Sequence, residues 1–160
     1  KLCAYYGKEY GYHREVKFDE GLYMSLMDKP AIYFRFEGIS LQRKTLRETD
    51  LKPFATFEAA YHQLMIELME LQLHTISNAI GNSSINKIYI DGGFTDNDVF
   101  MKLMAHHFKD FKVLTTQSPL GSALGAAMVI SNKKIDAKFL KENYRMKKLA
   151  PLLLKKMTVK

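Results

Sequence analysis

The sequence predicts an α/β domain in which crossover helices join parallel strands. Between residues 87 and 130 the pattern alternates, with strands at Lys87–Asp91 and Lys112–Thr116 and helices at Asp96–Phe108 and Leu120–Ile130. A strand–helix–strand order implies a parallel pair connected by a right-handed crossover. A long amphipathic helix over residues 54–80 precedes this unit. At about 1.5 Å per residue it would measure about 40 Å, enough to cross a sheet.

The first 52 residues form a region of uncertain fold that is rich in tyrosine. Asp19 is a candidate amino-terminal cap for a short helix that reaches Met27. Pro30 would interrupt any helix that precedes it. The loosely alternating stretch Ile32–Phe36 is typical of a strand.

The long helix over residues 54–80 is predicted from apolar side chains at three- and four-residue spacing. Pro53 lies near its start, where a missing amide is tolerated, and Gly81 and Asn82 are suitable terminators. The predicted apolar stripe comprises Phe57, Tyr61, Leu64, Leu68, Leu71, Thr75 and Ala79. The predicted solvent side comprises Glu58, Gln63, Glu67, Glu70 and Asn78.

The two helices of the alternating unit have recognisable starting signals. Thr95, with Asp98 three residues later, resembles a capping box for the first helix. Ser118 is a candidate cap for the second helix, with Pro119 at its first position. The inward face predicted for the first helix comprises Val99, Phe100, Leu103, Met104 and His107.

Residues 132–160 are predicted to form a basic carboxy-terminal helix or tail. From Ser131 onward there are ten Lys and Arg against two acidic residues, which leaves 14 basic and 15 acidic side chains in the rest of the chain. Such a tail can contact nucleic acid or a membrane, but no nucleic-acid-binding motif accompanies it. We therefore favour a solvated helix and expect no nucleic-acid or membrane partner. Its apolar stripe would be Ile135, Phe139, Leu140, Tyr144 and Leu149.

The single cysteine, Cys3, cannot pair within the chain, which suits a reducing compartment such as the cytoplasm. No apolar run approaches a membrane span. His62 and His74 are twelve residues apart, a spacing that is not typical of two ligands of one metal ion, and we identify no metal ligands. Because the first residue is Lys1 rather than Met, we expect a fragment or a processed product.

The most informative stretch is IYIDGGFTDND, residues 88–98. Gly92 and Gly93 follow a predicted strand and precede a predicted helix. Glycine frees the backbone to turn and removes the Cβ, so a ligand can lie against the main chain. A helix amino terminus nearby favours a phosphate. The pattern predicts a nucleotide or another phosphorylated ligand near Gly92, Gly93 and Asn97. A turn that needs glycine for its geometry alone is the alternative.

Two common phosphate loops are excluded, because the chain contains neither GxxxxGK(S/T) nor GxGxxG.

A second stretch, TTQSPLGSALGAAMV, makes a helix with little side-chain bulk on one face. We favour tight packing of this face over direct ligand contact. Its small residues are Gly121, Ala123, Gly125, Ala126 and Ala127.

These two stretches, following the long helix in this order and spacing, resemble the carboxy-terminal domain of the FGGY carbohydrate kinases. The resemblance covers about Phe54 to Ile130, roughly half of the chain. Within the family, the chain is most similar to kinases of deoxy-ketose sugars such as rhamnulose and fuculose.

The resemblance implies that residues 53–131 form an actin-like (ribonuclease H-like) ATPase core. By position, Gly92, Gly93 and Asn97 would bind ATP, and Mg²⁺ would accompany it. The sugar would be bound mainly by an amino-terminal domain upstream, which would also supply a phosphate loop and the catalytic base. We therefore identify no catalytic residue in this chain and expect the chain alone to lack kinase activity.

Asp91 and Asp96 are the carboxylates nearest the inferred phosphates. Asp91 could bind a metal ion or act as a base, but we favour a role in accepting backbone amides of the turn.

Two rival functions stay open: another actin-like ATPase, such as an acetate kinase or a chaperone-like protein, and a non-enzymatic module with a basic tail. The sequence leaves the sugar unnamed, and assembly into homo-oligomers stays open.

Overall fold

The computed structural model describes residues 1–28, 31–39, 46, 48–116, 121–131, 138 and 147–154. Five helices lie in this part of the chain: α1 (Leu2–Tyr5), α2 (Glu20–Asp28), α3 (Phe57–Ile80), α4 (Asp98–His107) and α5 (Gly121–Ser131). Two short 3-10 turns cover Tyr12–Arg14 and Gly93–Asp96. The strands are β1 (Lys87–Ile90), β2 (Lys112–Thr115) and β3 (Lys147–Lys148).

The strands form one small mixed sheet in the order β1–β2–β3. β1 and β2 are parallel, with Lys87 opposite Lys112 and Ile90 opposite Thr115. Helix α4 connects them, so the predicted strand–helix–strand unit is confirmed. The chain is thus a mixed helix-and-sheet protein. None of the described helices is both long and apolar enough to cross a membrane.

The short strand β3 is a feature that the sequence pattern did not predict. It pairs antiparallel with β2, with Lys148 opposite Leu114, and the Leu149 amide donates to the Val113 carbonyl at 3.0 Å. Leu149 packs against the main core. The other members of the predicted tail stripe, Ile135, Phe139, Leu140 and Tyr144, lie outside the described residues, as do Pro30, Ser118 and Pro119.

Helix α2 starts as its sequence signal indicates. Asp19 Oδ1 accepts the Leu22 amide at 2.9 Å, and the Asp19 amide in turn donates to His62 Nε2 at 2.9 Å. The cap therefore also ties the start of α2 to helix α3. The other His62 ring nitrogen, Nδ1, lies 2.7 Å from the Glu58 carbonyl, to which it donates. Burial lowers the pKa of His62.

Helix α3 begins at Phe57, three residues later than predicted, and Thr56 is its cap, accepting the Ala59 amide at 3.2 Å. Pro53 lies in the preceding turn. Gly81 ends the helix as predicted, with a φ of 50°. Of the predicted stripe, Phe57 and Tyr61 are buried, Leu64, Leu68 and Leu71 are half-buried, and Thr75 and Ala79 are exposed.

Two polar residues assigned to the solvent side of α3, Gln63 and Glu67, are instead buried. Glu67 accepts the amides of Tyr33 at 2.8 Å and Phe34 at 3.0 Å, and it also accepts a bond from Gln63 Nε2 at 2.9 Å. The segment around Phe34 covers this side of the helix and needs an acceptor there. The predicted strand over residues 32–36 is wrong, because these amides bond to a side chain and no strand is assigned among residues 31–39.

The main core lies between α3, α4 and β2. Val99, Phe100, Leu103 and Met104 of α4 are buried as predicted, whereas His107 is exposed. In helix α5 the prediction of tight packing is wrong for three of the small residues, because Ala123, Ala126 and Ala127 are exposed. The fully buried large side chains are Phe57, Met69, Leu103, Met104, His62 and Val99.

Candidate functional site

The turn after β1 has a backbone that demands glycine at one position. Gly92 has a φ of 88° and a ψ of −162°, a region that essentially only glycine occupies. The 3-10 turn Gly93–Asp96 follows, and the Thr95 hydroxyl donates to the Gly92 carbonyl at 2.8 Å. Thr95 therefore stabilises the turn and does not cap α4, so the predicted capping box is wrong.

The fold does not require glycine at position 93. Gly93 does not have a positive φ, and a Cβ added to it would meet no heavy atom of the surrounding structure within 4 Å. Neither backbone strain nor close packing therefore requires glycine at this position. Turn geometry alone, the alternative reading of the glycine pair, explains Gly92 but leaves Gly93 unexplained.

Asn97 is the cap of helix α4 and a link to helix α3. Its Oδ1 accepts the Phe100 amide at 3.0 Å. Its Nδ2 donates to the Tyr61 hydroxyl at 2.8 Å and to the Met65 sulfur at 3.3 Å. The structure thus places Asn97 beside the glycine turn, as predicted, but engages its side chain in bonds within the protein.

The amino terminus of α4 is less suited to a phosphate than the sequence suggested. The Asn97 side chain already occupies the Phe100 amide. Asp96 and Asp98 add two carboxylates at this end of the helix, and Asp98 Oδ2 accepts the Phe18 amide at 2.9 Å. Carboxylates there complement the helix dipole and repel an anion. A phosphate near the turn would need positive charge from another element.

Gly93 and Asn97 open onto a cleft of about 810 Å³. Ligand sites commonly measure about 300–1,000 Å³, and the volume of this cleft falls in that range. The floor is formed by buried and half-buried side chains of the first half of α3, and the glycine turn forms one wall. The lining residues are Lys1, Leu2, Cys3, Tyr10, His13, Arg14, Phe57, Tyr61, Leu64, Met65, Leu68, Gly93, Phe94, Asp96 and Asn97.

A second wall is the 3-10 turn Tyr12–Arg14, which Gly11 starts with a φ of 102° and which contributes His13 and Arg14 to the lining. The Tyr12 hydroxyl donates to Glu58 Oε1 at 2.6 Å, and the Tyr12 ring meets the Phe57 ring edge-on at 5.0 Å between centroids. The bond from Tyr12 lowers the pKa of the Glu58 carboxyl. This wall is therefore fixed to the start of α3.

Tyr61 connects the two walls. Its hydroxyl accepts the bond from Asn97, and its ring lies 6.1 Å from the His13 ring, centroid to centroid. Burial raises the pKa of Tyr61, so the phenol stays neutral over the physiological range. The cleft is apolar and aromatic along its floor, which suits a flat heterocyclic base.

The charged groups of the cleft are unevenly distributed. Lys1, His13 and Arg14 are its basic lining residues, and Asp96 is its carboxylate. Among the residues that the structure describes, no cluster of three His, Cys, Asp or Glu side chains is arranged to hold a metal ion.

Asp91 does not fill the role that we favoured from the sequence. Its Oδ1 accepts a short hydrogen bond from the Thr116 hydroxyl, a side-chain contact in place of the expected bonds to turn amides. The bond joins the ends of β1 and β2. Of the two predicted carboxylates, Asp96 lines the cleft, while Asp91 does not belong to its described lining.

Sequence reasoning located the glycine turn and missed the second wall. His13 and Arg14 lie about eighty residues before the turn, and no motif connects them to it. Gly11 was the available signal, since a glycine within a tyrosine-rich stretch indicates a turn.

Comparisons of the chain with protein-family models, with curated proteins and with solved structures found no match. The similarity to FGGY kinases therefore stays a prediction.

Proposed function

We propose that this chain is the ATP-binding carboxy-terminal portion of a carbohydrate kinase, with an actin-like core. In the complete enzyme the γ-phosphoryl group of ATP would pass to a sugar hydroxyl. The sugar would be held mainly by a domain outside this chain, and the chain alone would be inactive. ATP is the ligand that we assign to the cleft beside Gly92, Gly93 and Asn97.

The observation that supports this proposal is the unexplained glycine at position 93. A Cβ at this position would meet no heavy atom within 4 Å, and Gly93 itself lines the cleft. A ligand that lies against the main chain gives this glycine a reason that the fold does not. A flat base on the apolar floor and a ribose at the glycine turn use the space in this way.

Each cleft residue has a defined task in this proposal. Gly92 makes the turn, and Gly93 admits the nucleotide to the backbone. Asn97 holds the turn in place through Tyr61. Such catalysis depends on positioning and electrostatics more than on covalent steps by the protein.

Mg²⁺ would accompany ATP and neutralise phosphate charge. Magnesium sites on nucleotides commonly use one or two carboxylates together with the phosphates and water. Asp96 is the cleft carboxylate that fits this requirement. Asp91, bonded to Thr116, is directed to the strand ends instead.

Substitution of Gly93 tests the proposal. Gly93→Val places a branched side chain in the cleft while the backbone tolerates it, so folding should be preserved and ATP affinity should fall about tenfold or more. Titration calorimetry with ATP measures the affinity, and thermal unfolding measures the fold. Ala79→Val, which introduces the same side chain at an exposed position of α3 away from the cleft, is the matched control.

Two results would contradict the proposal. One is the absence of ATP binding by the unaltered chain. The other is unchanged ATP affinity in Gly93→Val. In a full-length kinase the same substitution should raise KM for ATP and leave sugar binding nearly unaltered.

A further inference from the structure

Two neighbouring basic side chains, His13 and Arg14, line the cleft together with the glycine turn. His13 is half-buried and Arg14 is exposed, and both line the same space as Gly93 and Asn97. Asp96, the lining carboxylate, belongs to the glycine turn, whereas Asp98 lies outside the described lining and accepts the Phe18 amide at 2.9 Å. Two of the three basic lining residues belong to the turn Tyr12–Arg14, and the third is Lys1.

The turn Tyr12–Arg14 is held rigidly. The Arg14 amide donates to the Gly11 carbonyl at 2.9 Å, and the neighbouring Tyr12 is bonded to Glu58 at 2.6 Å. Lys8 Nζ lies 4.4 Å from the centre of the Tyr12 ring, on the ring face. These contacts fix the backbone of the turn, so its side chains project from a defined place.

We propose that His13 and Arg14 bind the phosphate chain of the nucleotide whose adenosine part lies at the glycine turn. This inference rests on the proposed function and specifies the orientation of the ligand. A phosphate is repelled by direct contact with the Asp96 carboxylate and is attracted by the basic side chains of the turn Tyr12–Arg14. The planar guanidinium of Arg14 offers paired donors to phosphate oxygens, and a ring nitrogen of His13 adds another donor.

The orientation follows from the division of charge. With the base on the apolar floor and the ribose beside Gly93, the phosphates extend over α3 toward Tyr12–Arg14. Asp96 then meets the phosphates only through the metal ion that accompanies them. The reverse orientation would place the phosphates in direct contact with the Asp96 carboxylate.

A series of ligands separates the contribution of the phosphates from that of the adenosine part. We expect the unaltered chain to bind ATP more tightly than AMP, and AMP more tightly than adenosine, in titration calorimetry. Arg14→Ala should weaken ATP binding about tenfold to a hundredfold, the loss typical of hydrogen bonds to a charged group. Its affinity for adenosine should not change, and Arg14→Lys should recover part of the ATP affinity.

Lys17→Ala is the matched control, because it removes one positive charge from an exposed position three residues further on that is not among the described lining residues. It should leave ATP affinity within about twofold of the unaltered chain, since an exposed charge outside the contact is screened by salt. Inorganic tripolyphosphate, followed by the NMR signals of the His13 ring, tests the phosphate site without a nucleotide.

These measurements distinguish a failure of the phosphate site at His13 and Arg14 from a failure of the proposed ATP-binding function. If ATP binds and Arg14→Ala has the affinity of the unaltered chain, the phosphate site is overturned and the ATP site stands. If Arg14→Ala loses as much affinity for adenosine as for ATP, the phosphate site is also overturned. If tripolyphosphate moves the His13 signals while neither ATP nor adenosine binds, the phosphate site stands as an anion site and the proposed function fails. Binding of neither probe refutes both.

Discussion

The bond between Asn97 and Tyr61 allows a quantitative test of how the glycine turn is held. Asn97→Ala removes the α4 cap, which contributes about 1 kcal/mol, and the bond to the Tyr61 hydroxyl, about 1 kcal/mol more. We expect a loss of about 2 kcal/mol in the free energy of unfolding. Tyr61→Phe removes the bond alone and should cost about 1 kcal/mol.

The double variant distinguishes this bond from two independent effects. Because both substitutions remove the same bond, the double variant should lose about 2 kcal/mol, which is about 1 kcal/mol less than the sum of the single losses. Urea unfolding followed by circular dichroism measures all four proteins, since the chain has no tryptophan for fluorescence. Asn97→Asp, which keeps the cap and accepts from the Tyr61 hydroxyl, should lose less than Asn97→Ala. Additive losses would refute the bond.

Three further outcomes are expected. Burial lowers the pKa of His62, so the unfolded chain binds more protons than the folded chain below the unfolded value of about 6.5. The contribution of neutral His62 to the free energy of unfolding is therefore present at pH 7 and declines toward pH 5. In urea titrations at several pH values, His62→Gln should reduce the change of the free energy of unfolding with pH. The same change with pH in both proteins would contradict this assignment. Glu67→Gln should cost about 1–3 kcal/mol because the NH2 of the new amide, a donor, would face groups that also donate, whereas exposed Glu70→Gln should change stability by at most about 0.5 kcal/mol. Gly92→Ala should cost about 1–3 kcal/mol through backbone strain, whereas Gly93→Ala should cost nothing in thermal unfolding; equal losses would show that both glycines serve the turn.

The elements with strong periodicity could be predicted from the sequence. Helices α3 and α4 and the two parallel strands lie within three residues of their predicted bounds. Their apolar spacing repeats over several turns, and their ends carry glycine or capping residues. β3 is two residues long, and no local pattern indicates it.

The polar core of α3 could not be predicted in the same way. Periodicity assigns Gln63 and Glu67 to solvent because they are polar, yet both are buried. Their burial depends on the amides of Tyr33 and Phe34, which come from a distant segment. A buried carboxylate that accepts backbone amides satisfies these donors in place of a neighbouring strand.

The choice of cap for α4 shows how one backbone angle decides between two signals. Thr95 and Asn97 are both suitable caps by residue type. The positive φ of Gly92 directs the chain into a 3-10 turn before the helix. The helix then starts two residues later than predicted, and Asn97 takes the capping position.

Both walls of the cleft are bonded to one stretch of α3, and this has a consequence for binding. Glu58 holds the basic turn, while Tyr61 and Met65 hold the glycine turn through Asn97. These three positions lie within two turns of one helix, so the walls keep their separation without a ligand. A nucleotide bound in this cleft, as we propose, would then lose little affinity to the ordering of loops. Tyr61→Phe should therefore weaken ATP binding by loosening one wall, even though its hydroxyl is bonded to Asn97 and not to the ligand.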